Sequence, residues 1–273
     1  MFGKIGYEAL NSAQNNLAAL TEIVENITNI NSVGYKKKRT TFVETLSGEY
    51  AKYENKEFTQ GLVRKTGELF DLALEGPGMF EVELSNGQRA YTRAGRFALN
   101  SEGELVTQDG YRVIPEVEQL GKTNNPVLKI ADAKNNQLGL NFEVSTPKLI
   151  IPTDVTPEIL EDGTINGINP ETGEKTKIGK ISVVAFNNPQ GLESIGKSYF
   201  VETNSSGQAQ DIEIGPNLGI KVKQGFLEFG NVDMAAEFMN LSQTKNVVTA
   251  QMKALKLIDK IYENVHYTIS RTA

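Results

Sequence analysis

Residues 10–27, LNSAQNNLAALTEIVENI, decide how this chain folds. Their apolar side chains recur at alternating spacings of three and four residues, which is typical of a helix packed along another helix. These side chains are Leu10, Ala13, Leu17, Leu20, Val24 and Ile27. No charged residue occurs from Ala9 to Thr21, although a helix face in water normally carries Glu and Lys. We expect other protein to cover this face, with its amides making lateral hydrogen bonds; the alternative is an ordinary polar helix.

The sequence predicts a second amphipathic helix at the other end of the chain. It begins at Asn231 or Asp233 and runs to about Ser270 without a Gly or Pro. Its apolar stripe contains Phe238, Leu241, Val248, Met252 and Leu255. A lone helix cannot bury such a stripe, and burying a Leu-sized side chain is worth about 1.5–3 kcal/mol. The two terminal stripes are therefore the predicted assembly interface, packed on each other and on neighbouring copies of the chain.

Between the two helices the apolar period changes from 3.6 to 2 residues. Short segments rich in β-branched and aromatic residues are separated by turn signals such as Asn86-Gly87 and Asp109-Gly110. The predicted fold class is α+β, with long N- and C-terminal helices forming a coiled-coil-like helical domain and a central antiparallel all-β domain. The predicted division is a terminal helical (polymerisation) domain of 1–45 with 228–273, a connector of 46–67 and a β domain of 68–227.

Composition excludes several classes of function. The chain of 273 residues has 28 basic and 34 acidic residues, a net charge of −6, which argues against a nucleic-acid partner. It has no Cys and one His, His266, so thiolate and multi-His metal sites are excluded; His266 is interpreted as a surface or interface imidazole. No apolar run reaches the length of a membrane span. We expect no catalytic residues, no cofactor, no metal and no membrane insertion.

One stretch matches a nucleotide-binding signature by letter. Residues 191–198, GLESIGKS, fit GxxxxGK(S/T), in which backbone N–H groups cradle phosphates. The next residues, 199–203, have strand character, so no helix N-terminus is available for a phosphate. A nucleotide-binding enzyme is kept as an alternative from a different class, beside a coiled-coil adaptor. The basic run Lys36–Arg39 is interpreted as a solvated face.

Several separated motifs resemble the axial rod and hook proteins of the bacterial flagellum. The first is 26–36, NITNINSVGYK, in which Asn29 and Asn31 end a helix before a turn at Gly34 and Tyr35. The others, in chain order, are 70–80 (FDLALEGPGMF), 91–97 (YTRAGRF), 186–192 (FNNPQGL), 224–228 (QGFLE) and 231–233 (NVD). The presence of a single β domain is similar to the distal-type rod proteins.

The resemblance implies a structural protein without catalysis. It implies a subunit that polymerises helically into the shaft crossing the periplasm and transmits torque, with the terminal helices inside and the β domain outside. Implied partners are the chain itself, other rod and hook proteins, and the flagellar type III export apparatus. The implied location is the rod of the flagellar basal body, reached without a cleaved signal peptide. A hook or other axial component is the alternative within the same family.

Overall fold

A computed structural model describes residues 2–44, 50–116, 148–215 and 218–272. This part of the chain contains two α-helices, α1 (Phe2–Thr28) and α2 (Met234–Thr272), and eighteen strands. The strands are β1 (Lys38–Glu44), β2 (Tyr50–Lys56), β3 (Val63–Lys65), β4 (Leu72–Glu75), β5 (Met79–Glu83), β6 (Arg89–Thr92), β7 (Phe97–Leu99), β8 (Leu105–Thr107), β9 (Arg112–Val113), β10 (Thr156–Ile159), β11 (Thr164–Ile168), β12 (Lys175–Lys180), β13 (Val183–Ala185), β14 (Glu193–Gly196), β15 (Tyr199–Val201), β16 (Gln210–Asp211), β17 (Lys221–Gln224) and β18 (Phe226–Glu228).

The chain divides into two compact units. The terminal unit consists of Met1–Thr66, Phe186–Gln208 and Phe226–Ala273, and the central unit consists of Gly67–Ala185 and Ala209–Gly225. The central unit is an antiparallel β structure built around β5, which pairs with β6 along one edge and with β9 and β13 along the other. Strands β10, β11 and β12 form a separate three-stranded sheet, and β4 pairs with β17.

The core of the central unit holds apolar side chains from short strands in which consecutive residues are buried. Leu72 and Leu74 are buried, and the rings of Phe80 and Phe97 meet edge to face with centroids 5.2 Å apart. Gly95 lies so close to the neighbouring backbone that a Cβ there would be 1.7 Å from the carbonyl oxygen of Leu72. The stretch 91–97 therefore has a packing role, because only glycine fits at its centre.

The terminal unit combines both helices with strands. Strand β1 pairs with β2 in antiparallel register, Lys38 opposite Lys56, and β3 pairs with β18. Strands β14 and β15 form a hairpin. An isolated bridge joins Val33, after α1, to Phe229, before α2. The two ends of the chain are thus connected through backbone pairing as well as through helix packing.

The predicted fold class is wrong. The two helices do not form a coiled-coil-like domain, because the compact unit that contains them also contains strands of several sheets. Within the described ranges the two helices stand beside eighteen strands in several sheets, although a central β domain is present. The prediction failed physically because the strand pair of 38–44 and 50–56 is rich in Lys, Glu and Thr and shows little apolar alternation.

Some expectations fall on residues that are not described. Residues 45–49, across the predicted boundary between the terminal domain and the connector, and residues 117–147 and 216–217, within the predicted β domain, lie outside the described ranges, as does the side chain of His266. Among the helices that are described, neither has the length and apolar character needed to cross a membrane. The described residues also hold no group of three or more His, Cys, Asp or Glu side chains placed to bind a metal ion.

Candidate assembly interface

The predicted apolar stripe of α1 is divided lengthwise into a covered row and an exposed row. Ala13 is buried, and Leu20 and Ile27 are half-buried. The other three residues, Leu10, Leu17 and Val24, are 47%, 57% and 50% exposed. Because residues seven apart lie on the same helix face, the exposed three form one continuous apolar row along α1.

The stripe of α2 is divided in the same way. Leu241, Val248 and Leu255, again seven residues apart, are half-buried. Phe238 and Met252 are exposed. The helices pack along each other, so the covered rows belong to an internal contact and the exposed rows have no cover within the described part of the chain.

The uncharged face of α1 makes lateral hydrogen bonds through its amide side chains, as expected from the sequence. The Asn16 amide donates to Oε1 of Gln251 at 3.0 Å, and the Gln251 amide donates to the Ser12 hydroxyl at 2.8 Å. Helix α2 of the same chain covers these amides. Polar residues on this seam fix the register of the two helices, which apolar packing alone leaves free to slip.

An open groove of about 590 Å³ lies between the two helices. Leu20 and Val24 of α1 and Leu241 and Lys245 of α2 line it. Its wall is mostly apolar and is continuous with the exposed row, because Val24 belongs to both. We use the name open seam for the exposed rows of the two helices, that is Leu10, Leu17, Val24, Phe238 and Met252.

The turn after α1 is built by the residues that the motif predicts. The Asn29 backbone N–H donates to the carbonyl oxygen of Glu25 at 3.1 Å, and the Asn29 side chain accepts a hydrogen bond from the Ser32 hydroxyl at 2.9 Å. Gly34 has φ of 67°, a left-handed conformation that glycine adopts without strain. Asn31 is exposed and lies at the surface of the turn.

Asn26 is the centre of this turn and was not among the predicted interface residues. Its Oδ1 accepts hydrogen bonds from the Tyr35 hydroxyl and from the Lys38 backbone N–H, both at 3.0 Å. Its amide donates to the Lys38 carbonyl oxygen, also at 3.0 Å. The pKa of Tyr35 is raised well above its ordinary value, first by burial and then by the negative charges of Glu25, Glu22 and Glu237. The Tyr35 hydroxyl therefore stays protonated and remains a hydrogen-bond donor.

The three lysines of the basic run Lys36–Arg39 form ion pairs, whereas Arg39 is exposed, so the interpretation of the whole run as a solvated face is wrong for the lysines. The Lys36 ammonium lies 2.8 Å from Oε1 of Glu228, and both side chains are fully buried. Lys37 pairs with Glu237 at 2.6 Å, and Lys38 pairs with Glu25 at 2.6 Å. The sequence signal for this arrangement is weak, because composition cannot show which lysines turn inward.

Asn231 and Asp233 prepare the start of α2. The Asn231 side chain accepts from the Lys37 backbone N–H at 2.7 Å and donates to the carbonyl oxygen of Glu57 at 2.6 Å. Asp233 caps the helix, since its Oδ1 accepts from the N–H of Ala235 at 2.9 Å. Of the two residues predicted as alternative caps, only Asp233 caps α2, whereas Asn231 connects the start of the helix to Lys37 and Glu57.

The nucleotide-like letters at 191–198 form a β-hairpin. Glu193–Gly196 is strand β14, and the turn that follows has positive φ values at Lys197 (48°) and Ser198 (64°). Tyr199 then begins strand β15. A phosphate-binding loop needs a helix at this point, and the hairpin offers no helix N-terminus, so this geometry does not support the nucleotide-binding alternative.

Comparison with known proteins gives one consistent family. The family model of the flagellar hook protein FlgE/F/G D1 domain matches residues 73–167. The chain is similar to the flagellar basal-body rod protein FlgG of Bacillus subtilis, with 30% identity over 284 aligned positions that cover 95% of this chain and 96% of that protein. The FlgG of Buchnera aphidicola from Schizaphis graminum is 27% identical, with 89% and 91% covered. A FlgF of Caulobacter vibrioides is 28% identical, with 91% and 89% covered.

Proposed function

Because this chain belongs to the family of flagellar basal-body rod proteins, we propose that its open seam is the surface through which it polymerises. The chain is a structural subunit of the bacterial flagellar basal-body rod. Its relatives are named flagellar basal-body rod proteins, and the function proposed here is assembly, with no catalytic step.

One observation carries the proposal, namely the division of each terminal stripe into a covered and an exposed row. A helix seam of this kind has two sets of apolar positions, and each set inserts into a facing helix. In α1 the set of Ala13, Leu20 and Ile27 is covered, while the set of Leu10, Leu17 and Val24 is about half exposed. The second set needs another helix, and a neighbouring copy of α1 or α2 supplies one with matching spacing.

The energy of this contact is distributed over many residues. Covering the remaining half of a Leu-sized side chain is worth about 1 kcal/mol. Five such residues in the open seam give each subunit several modest contacts, which repeat with every copy that is added. We infer that torque passes along the rod through these repeated contacts, with no single strong site.

We infer that the subunit contacts other rod and hook proteins at the ends of its own homopolymer, and that the flagellar type III export apparatus delivers it to the periplasmic rod. We also propose that the terminal residues 1–45 with 228–273 act as the polymerisation part and that 68–227 forms the outer β layer, joined by 46–67.

Two variants test the open seam. Leu17→Asp places a charge in the exposed row of α1, whereas Gln14→Asp places the same charge at an exposed polar position of the same helix. We expect Leu17→Asp to abolish assembly in electron micrographs and sedimentation, with an unchanged circular dichroism spectrum, and Gln14→Asp to assemble as the wild type does. Equal assembly by the two variants would contradict the proposal. A small closed oligomer of the wild type would favour the adaptor alternative.

A further inference from the structure

A second exposed apolar row runs along α2 and is separate from the open seam. It consists of Val247, Ala250, Ala254, Leu257 and Ile261, all of which are exposed, and we call it the back row. The spacings alternate between three and four residues, which is the pattern of a helix that packs along another helix. Leu257 is 63% exposed, more than any residue of the open seam. The back row is therefore an apolar helix face that still needs a partner.

The back row and the open seam lie on opposite sides of α2. A helix turns by about 100° per residue, so Ile261 lies about 180° around the axis from Met252, and Ala254 lies about 160° from Phe238. The residues of α2 that α1 covers lie between the two rows on one side of the helix. Within the described part of the chain, α1 thus leaves the back row without cover.

We propose that the back row binds the open seam of a second copy of the chain. The proposal rests on the assembly function and names the surface that the open seam contacts. A polymer without a fixed length needs two different, complementary surfaces on every copy, because a surface that binds only its own equivalent closes after two copies. Since the two surfaces lie on opposite sides of α2, each copy can bind one neighbour on either side.

The two surfaces match in length and in the size of their side chains. The exposed row of α1, within residues 10–24, and the back row, within residues 247–261, are each about 21 Å long. The back row contains the small side chains of Ala250 and Ala254, whereas the open seam presents large ones such as Leu17. Large side chains opposite small ones allow two surfaces to interdigitate, so the open seam is a suitable occupant of the back row.

Lysines beside the back row disfavour its pairing with a second back row. Lys253 and Lys260 lie four residues before and three residues after Leu257, so they share its helix face. Both are exposed, and neither forms an ion pair with another described residue. Two back rows in contact would bring these like charges together, which is destabilising. The α1 part of the open seam has no charged residue from Ala9 to Thr21 and therefore causes no such repulsion.

The first test places a charge in the back row. Leu257→Asp adds it at an exposed position, so the circular dichroism spectrum should not change. Thr249→Asp is the matched control, because Thr249 is exposed and lies on the lysine side of α2, four residues before Lys253. In sedimentation velocity we expect Leu257→Asp to stay monomeric at concentrations at which the wild type and Thr249→Asp form filaments. Normal assembly of Leu257→Asp overturns the proposal.

The second test mixes two blocked variants of the full-length chain. Leu17→Asp keeps an intact back row, and Leu257→Asp keeps an intact open seam. We expect each variant alone to be a monomer and the equimolar mixture to form a one-to-one dimer that does not grow, because only one contact remains available. This dimer would also show that both variants are folded. A mixture that stays monomeric, or a variant that dimerises by itself, overturns the proposal.

These results separate the back row from the open seam. Normal assembly of Leu17→Asp, or a wild type that never associates, contradicts the assembly function and with it the back row. A block in Leu17→Asp together with normal assembly of Leu257→Asp keeps the assembly function and overturns the back row alone.

Discussion

The ammonium nitrogen of Lys36 lies 2.8 Å from Oε1 of Glu228, and each side chain is only 1% exposed. The Thr59 carbonyl accepts a second hydrogen bond from Lys36 at 2.6 Å, and the Gly61 N–H donates to Glu228 at 2.8 Å. Removing two charges from water is costly, and these extra hydrogen bonds offset part of that cost. The pair joins the turn after α1 to the strand that leads to α2, so it fixes the two ends of the chain relative to each other.

Lys36→Met should destabilise the terminal unit strongly. The substitution leaves the Glu228 carboxylate buried without its counter-charge, and breaking such a pair costs about 3–5 kcal/mol. The free energy of unfolding from urea denaturation measures this loss. Arg39→Met is the control, because its 3.7 Å pair with Glu57 is exposed and should be worth less than about 1 kcal/mol. Equal losses in the two variants would show that the buried pair has no special role.

Asp233→Ala should destabilise α2 by about 0.5–2 kcal/mol, because it removes the cap that accepts hydrogen bonds from the first turn. Asp233→Asn keeps an acceptor oxygen at the same place and should lose much less. Helix content by circular dichroism during thermal unfolding compares the two variants. Indistinguishable melting temperatures for the two variants would rule out the capping explanation.

Gly95→Ala should prevent normal folding of the central unit. The added Cβ would lie 1.7 Å from the Leu72 carbonyl oxygen, so the backbone must move. Gly215→Ala is the matched control, since the nearest atom to its Cβ, on Leu218, is 3.9 Å away. Soluble yield and hydrogen exchange of β4 and β5 report the effect, and normal protection in Gly95→Ala would contradict the packing role of this motif.

The contact between Lys148 and Glu104 should make the stability of the central unit depend on pH. The Lys148 ammonium, 2.8 Å from Oε1 of Glu104, holds the pKa of that carboxyl below its ordinary value, and Asn100 adds a hydrogen bond. A carboxyl whose pKa is lower in the folded chain than in the unfolded chain stabilises the fold at pH values above its unfolded pKa. This contribution is lost as the pH falls through the pKa of the folded state.

Lys148→Met is the variant that measures this contribution. We expect it to lower the free energy of unfolding only slightly at pH 7, because Lys148 is exposed and solvent screens its charge. The difference from the wild type should shrink in acid, where Glu104 is protonated in both proteins. A difference that stays the same throughout the acid titration would mean that Lys148 acts through packing and not through charge.

Periodicity and turn chemistry predicted the local elements of this chain but not their arrangement. The end of α1 at Thr28 and the left-handed turn at Gly34 follow from residues with strong backbone preferences. Strands β1 and β2 were missed, because a strand whose side chains are mostly polar carries no apolar alternation. The predicted coiled-coil-like domain failed for that reason, since these strands share a compact unit with the helices.

The sequence identified the apolar stripes but could not show which half of each is covered. Ala13 and Leu17 belong to the same stripe, yet one is buried and the other is 57% exposed, and only the position of α2 decides between them. The burial of the Lys36 side chain could not be predicted either, because its partner Glu228 lies 192 residues away in the sequence. Long-range pairs of this kind are set by topology, which local spacing does not encode.

Sedimentation velocity of the purified full-length protein over a range of concentrations, with electron microscopy of the same samples, tests the open seam most directly. We predict that the mean mass rises without a limit as concentration increases and that filaments or tubes appear, while Leu17→Asp stays monomeric under the same conditions. A wild-type protein that remains a monomer at every concentration, or stops at a small closed oligomer, would contradict polymerisation through this surface.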